Sequence, residues 1–293
     1  MKDGRRIWAV LALPYAWLAL FFLVPFAIVL KISLAEQAMG IPPYTPLLES
    51  DAGSTKLHGS LANYLFLLSD SLYFRAYLNA IKFAGFSTLC CLLLGYPMAY
   101  GIVRAPRAWR GFLLLMVIMP FWTSFLIRVY AWIGLLKGNG LINNLLLSLG
   151  LVHEPLTLLN NAFAIYLGIT YSYLPFMVLP LYAALERLDP ALLEAAADLG
   201  CRPWHAFLRV TLPLSLPGIA AGSLLVFIPA VGEFVIPDLL GGPDTLMIGK
   251  VLWDEFFNNR DWPVASAVAV VLTAVLAVPI LVAQKYFERE HPA

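Results

Sequence analysis

The sequence predicts an all-α polytopic membrane protein with six transmembrane helices, and two observations carry that reading. Of its 293 residues, 61% are hydrophobic and only 13% are charged. That leaves too few charges to solvate the surface of a soluble domain of this length. Six apolar segments, at 9–31, 77–103, 111–136, 161–184, 216–240 and 263–287, reach the ~20 residues a helix needs to cross a bilayer. Each is continuous rather than alternating, which fits helices and not barrel strands.

The first segment follows Lys2, Arg5 and Arg6, and Ser33-Leu34-Ala35 after it mimics a signal-peptide cleavage site. Its apolar core is too long for a signal peptide, so it reads as a span. The loop from 34 to 74 holds Pro42-Pro43, Pro46 and Gly53, which predicts an irregular cap with a short helix near Leu61 to Leu68. The second and third segments are joined by a short basic turn. The loop from 137 to 160 contains Gly138-Asn139-Gly140 and an amphipathic stretch through Leu145 to Leu149, suited to an interfacial helix. The fifth segment carries Pro229, Gly232 and Pro237, so it is expected to be kinked or partly unwound, as backbone at membrane depth tolerates only where it is buried or lines a cavity. No linker divides the chain, which reads as one domain over 1–293. Its two halves are not inverted copies, which argues against a self-contained secondary carrier.

Orientation follows from basic residues in the connecting segments. With the N-terminus inside, the inner segments carry Lys2, Arg5, Arg6, Arg104, Arg107, Arg110, Arg187, Arg202, Arg209, Lys285 and Arg289. The outer ones carry only Lys56, Arg75, Lys137, Lys250 and Arg260. Both termini and the polar loop at 186–213 are therefore expected in the cytoplasm.

That loop has its own local logic. Asp189 is placed to cap a helix that starts at Pro190, Leu192, Leu193, Ala195, Ala196 and Leu199 favour helix, and Gly200 lets the chain leave it. Small Ala195 and Ala196 allow close approach by another protein, while Glu194 and Asp198, four apart, share a side and can pair with basic groups. Either it is a docking surface or it merely joins two spans.

Lys82, Arg128 and Glu233 fall inside predicted spans, where ionisable residues are functional candidates by default. Glu233 has two available partners, Arg128 or a solute, and Lys82 can snorkel from a helix end. Trp122, Tyr130, Trp132, Tyr171, Tyr173, Trp253, Phe256, Phe257 and Trp262 read as interface or core residues, with those facing an axis able to hold an alkyl-ammonium cation. No catalytic constellation is present. His58, His153, His205 and His291 are scattered in loops, no phosphate-binding Gly/Lys loop exists, and Cys90, Cys91 and Cys201 have neither disulfide nor metal spacing. No basic run or motif points to nucleic acid.

Glu194-Ala195-Ala196, three residues, Gly200, nine residues, then Val210-x-Leu212-Pro213 resembles the EAA loop of bacterial ABC importer permeases. Beyond it, Lys31 to Glu36, Phe121 to Trp132, Val226 to Asp238 and Trp253 to Pro263 look like the polyamine importer permeases, the putrescine permeases above all. The resemblance implies a type I importer fold in the bacterial inner membrane and no cofactor in this chain, with ATP and Mg bound by a partner ATPase. It also implies a heterodimer with a second, similar permease, two ATP-binding subunits and a periplasmic polyamine-binding protein. The ATPase-coupling residues would be Glu194, Ala195, Ala196, Asp198, Gly200, Val210, Leu212 and Pro213. The substrate-pathway candidates are Glu233, Asp238, Arg128, Trp122, Tyr130, Trp132, Asp254 and Glu255. The rival reading is an ion-coupled carrier for a small cationic solute.

Overall fold

The computed structural model describes residues 3–51, 54–57 and 59–290. Lys2, Gly53, His58 and His291 lie outside the described residues. The chain is helical almost throughout. Helix α1 has its apolar part at Leu11–Ser33, followed by strands β1 (Leu48–Asp51) and β2 (Ser54–Leu57) and helix α2 (Ala62–Ser69). Then come α3 (Ser71–Arg104), α4 (Arg107–Ile118), α5 (Phe125–Leu136), α6 (Leu141–Ser148), α7 (Ala162–Glu186) and α8 (Pro190–Asp198). The chain ends with α9 (Pro203–Leu214), α10 (Leu216–Val231), α11 (Val235–Leu240), α12 (Ile248–Trp253) and α13 (Trp262–Glu290).

Among the described residues, five stretches are long and apolar enough to cross a membrane: Leu11–Ser33, Ser71–Arg104, Phe125–Ser148, Ala162–Glu186 and Trp262–Val282. A sixth is formed if α9 and α10, bent by 62° at their junction, count as one span. The expected helical membrane fold is therefore present with five spans, or six with the bent pair, and with two changes of detail. The span expected over 111–136 is broken. Helix α4 stops at Ile118, a 3-10 turn covers Met119–Trp122, and Thr123 is extended at φ −96°, ψ 149°. Pro120 supplies no N–H to the preceding turn, and the extended Thr123 and Ser124 prevent the helix from resuming before Phe125. The irregular cap at 34–74 also contains order, because β1 and β2 pair antiparallel with Leu48 opposite Leu57.

Contacts divide the chain into two compact units, residues 1–74 with 251–275, and 75–250 with 276–293. In the first, Asn63 ties α2 to the end of α1, donating from Nδ2 to the carbonyls of Ser33 at 2.9 Å and Ala35 at 2.8 Å. Tyr44 and Phe256 both pack on Trp262, Phe256 stacking on it at 5.0 Å.

In the second unit, α7 is the central element. Asn161 caps it, accepting from the Ala164 amide at 3.0 Å, and it keeps Pro175 and Pro180 within its length. Met177, Val178, Leu181 and Leu185 of α7 form the core with Cys91, Tyr96, Ala99 and Ile102 of α3 and Val226 of α10. Glycines set the spacing of α10 on α7. A Cβ at Gly218 would stand 2.4 Å from that of Ala184, and one at Gly222 would meet Met177 Sδ at 2.8 Å. Small residues four apart are what permit two apolar helices to approach this closely.

Candidate functional site

Two places in the second unit gather the residues singled out in the sequence. The first is the connection from α7 to α10. Asp189 accepts a hydrogen bond from the Ala191 amide at 3.0 Å, and Pro190 occupies the first helical position. At the other end Gly200 has φ +75°. Its amide bonds the Ala197 carbonyl at 2.8 Å and the Cys201 amide bonds that of Ala196 at 2.9 Å. That pair of bonds is a Schellman cap, which needs the left-handed residue that glycine supplies. Nothing lies within 4 Å of a Cβ built at Gly200, so backbone conformation and not space selects glycine there.

Helix α8 is thus short, stiff and almost wholly uncovered. Glu194, Ala195, Asp198 and Gly200 are exposed and Ala196 is half-buried, while Leu199 is 88% exposed. Past it, Val210 and Leu212 are half-buried and Pro213 is exposed. The segment is tied to α3 by aromatic and polar contacts. Phe207 meets Tyr96 edge-on at 5.6 Å and Tyr100 at 5.8 Å. Ser215 Oγ donates to the Leu212 carbonyl at 2.9 Å, so at the 2.9 Å contact between hydroxyls Tyr96 is the donor.

The second place is the break between α10 and α11. The helix ends at Val231, Gly232 to Phe234 are non-helical, and α11 begins at Val235. Glu233 sits in the break, 7% exposed. Its Oε1 accepts from the amides of Val235 at 3.1 Å and Ile236 at 3.4 Å, two of the donors that a helix start leaves unpaired. Its Oε2 accepts from Tyr173 Oη at 2.5 Å. The start of α12 presses on the same break, since a Cβ at Gly249 would stand 2.4 Å from the Gly232 carbonyl oxygen.

Arg128 is not the partner of Glu233. Its guanidinium lies over the rings of Phe121 at 5.1 Å and Phe125 at 5.6 Å, and its Nε and Nη1 have no hydrogen-bond partner among the described residues. Aromatics nevertheless connect the two regions: Phe121 packs edge-on against Phe176 at 5.1 Å, and Phe176 lies 6.1 Å from Tyr173. Tyr173 and Phe176 are the contribution that sequence reasoning assigned no specific role.

The other candidates are distributed differently. Asp238, half-exposed on α11, is paired with Lys250. Trp132 packs edge-on against Tyr171 at 5.3 Å, whereas Trp122 and Tyr130 are exposed. Asp254 and Glu255 belong to the first unit. Asp254 accepts from Asn258 Nδ2 at 2.7 Å, and Glu255 accepts from Tyr73 Oη at 2.8 Å and Asn259 Nδ2 at 2.9 Å. Nearby Asp261 caps α13 through the Val264 amide at 3.0 Å, and burial, reinforced by the charge of Glu255, pushes its carboxyl above the usual range.

Comparison with known proteins gives consistent matches. Residues 91–290 match the family described as binding-protein-dependent transport system inner membrane component. The chain is 40% identical over 271 residues to the spermidine/putrescine transport system permease protein PotB of Haemophilus influenzae, covering 92% of this chain and 90% of that one. It is 41% identical over 266 residues to PotB of Escherichia coli, covering 91% and 92%. Among solved structures, a bacterial alginate ABC transporter in complex with a pentasaccharide-bound periplasmic protein aligns over 100% of this chain and 98% of its own, with TM-score 0.73 and 21% identity. At that identity the likeness is one of fold.

Proposed function

Since this chain belongs to the binding-protein-dependent transport system inner membrane components, we propose that it is the permease subunit of an ATP-driven importer of polyamines, putrescine or spermidine. The observation that carries the substrate is the 40–41% identity with the PotB permeases over more than nine-tenths of the chain. The protein is a multi-pass, non-catalytic membrane component. In this reading it is a single permease domain with both termini in the cytoplasm, pairs with a second, similar permease, and receives cargo from a periplasmic polyamine-binding protein. Two ATPase subunits bind ATP and Mg.

The chemistry of the chain is mechanical. Helix α8 offers an uncovered apolar and acidic surface, Leu199 beside Glu194 and Asp198, to an ATPase. Val210, Leu212 and Pro213 lead from that surface into the bent helix below. Motion there passes to α3 through Phe207 and the Tyr96–Ser215 bond. Glu233 supplies negative charge along the pathway, with Trp132 and Tyr173 as aromatic neighbours, and Asp238 adds a carboxylate held in an ion pair with Lys250. Trp122, Tyr130 and Arg128 complete the proposed lining within the second unit, and Asp254 and Glu255 are the pathway candidates of the first.

The test is uptake of labelled putrescine and spermidine by the reconstituted complex. Accumulation that requires ATP and the binding protein is expected. Uptake driven by a proton or sodium gradient without ATP would overturn the proposal in favour of a secondary carrier.

A further inference from the structure

The C-terminal half of α3 turns one stripe outward: Leu93, Leu94, Pro97, Gly101 and Arg104 are all exposed, at the three- and four-residue spacing of a single helix face. A hollow flanks the stripe on each side, and Pro97 lines both. One, of about 380 Å³, runs from Pro97 and Gly101 to Leu113, Met116 and Val117 of α4. The other, of about 340 Å³, lies among Tyr96, Tyr100, Trp204 and Phe207. Gly101 keeps the ridge between them low. Seven residues from Pro97, about 10 Å along the helix, Arg104 stands over the Tyr100 ring at 4.6 Å. It is exposed and takes part in no ion pair among the described residues, unlike Arg110, which lies 3.5 Å from Glu186.

Two apolar hollows straddling one ridge, closed at one end by a free cation, have the form of a double-chained anionic amphiphile. We propose that α3 binds one anionic phospholipid, with an acyl chain in each hollow beside Pro97 and the phosphate against Arg104. A packed helix, about 10 Å across, fills one groove and leaves the other empty. A lipid fills both and brings a phosphate to Arg104, and basic residues at helix ends are headgroup partners. The bound lipid lies against Trp204 and Phe207, on the segment that leaves α8.

The test uses the full-length chain in nanodiscs that carry brominated phosphatidylglycerol or, separately, brominated phosphatidylcholine at equal mole fraction. The signal is the Trp204 emission, obtained as the difference between the native chain and Trp204→Phe. The brominated anionic lipid should quench it at about fivefold lower mole fraction than the zwitterionic one. Arg104→Gln should abolish that preference and Arg104→Lys should keep it. Gly101→Leu, whose Cβ meets no atom within 4 Å, should raise the ridge and reduce quenching by both lipids. Equal quenching by the two lipids in the native chain would overturn the proposal, as would a preference unchanged in Arg104→Gln. Absence of quenching by either would also overturn it, by showing that no lipid enters the hollow.

Discussion

Replacing Glu233 with alanine removes one side chain and strips three donors of their acceptor: the amides of Val235 and Ile236 and the hydroxyl of Tyr173. Glu233 is 7% exposed, so water does not readily replace it. A buried donor left unpaired costs about 1–3 kcal/mol. Because the three share one network their costs do not simply add, and a total of about 3–6 kcal/mol is expected. Glu233→Gln retains an oxygen for the α11 amides and presents an NH2 group to the Tyr173 oxygen, so it should cost only about 1–2 kcal/mol. Tyr173→Phe removes one bond to a charged acceptor and should cost about 1.5–3 kcal/mol. Thermal unfolding of the purified chain in detergent reads this order. At about 2–4 °C per kcal/mol for a chain of this size class, the alanine variant should melt about 10 °C below the native protein and the glutamine variant only a few degrees below it. An alanine variant that melts within about 2 °C of native would refute the capping role. If Glu233 also meets cargo, Glu233→Gln should lower polyamine uptake beyond any loss of abundance, and normal uptake at normal abundance would remove it from the pathway.

Gly200→Val should uncouple uptake from ATP hydrolysis at undiminished membrane abundance, with a backbone penalty of about 1–3 kcal/mol for a branched residue at positive φ, whereas Gly200→Asn should be tolerated; normal uptake by the valine variant would count against the coupling role of α8. Glu194→Lys should likewise lower uptake while the chain still inserts, and unaltered uptake would show that its charge is not read by an ATPase. Gly218→Leu should force α10 away from α7 and destabilise the protein by more than about 1–3 kcal/mol, measured as a lower melting temperature, and an unchanged melting point would contradict the close packing. A cysteine placed at Leu61 should react with an impermeant thiol reagent applied from outside intact cells, and one placed at Arg107 should not; the reverse pattern would invert the orientation and withdraw the ATPase from the α8 side.

What was legible in the sequence was local. Asp189, Pro190 and Gly200 define the limits of α8 by chemistry that acts over three or four residues, and the ends observed fall there. Pro229, Gly232 and Pro237 mark the interruption between α10 and α11 in the same way. Pro120 was as visible, yet its effect was not, because Pro175 and Pro180 stay inside an unbroken α7. The difference lies in the residues that follow, since Thr123 and Ser124 adopt extended backbone and a proline alone only removes one hydrogen bond. The paired strands Leu48–Asp51 and Ser54–Leu57 are polar and poor in branched and aromatic residues, so they carry little strand signal. Partnership across the fold was not legible at all. Tyr173 is 60 positions from Glu233, and only the packing of α7 against the break brings the two together, while the cation that charge alone would have chosen rests on phenylalanine rings.

The glycine contacts between α7 and α10 bear on how a push is transmitted. With Gly218 set against Ala184 and Gly222 against Met177 at near-contact distance, the two helices interlock like the teeth of a rack and cannot slide past each other without lifting apart. The connection that holds α8 leaves one of them at Glu186 and rejoins the other at Leu216, so it hangs between two points whose separation is held constant. If a partner ATPase pushes on α8, α7 and α10 are expected to turn together, with the break at Glu233 at the far end of α10.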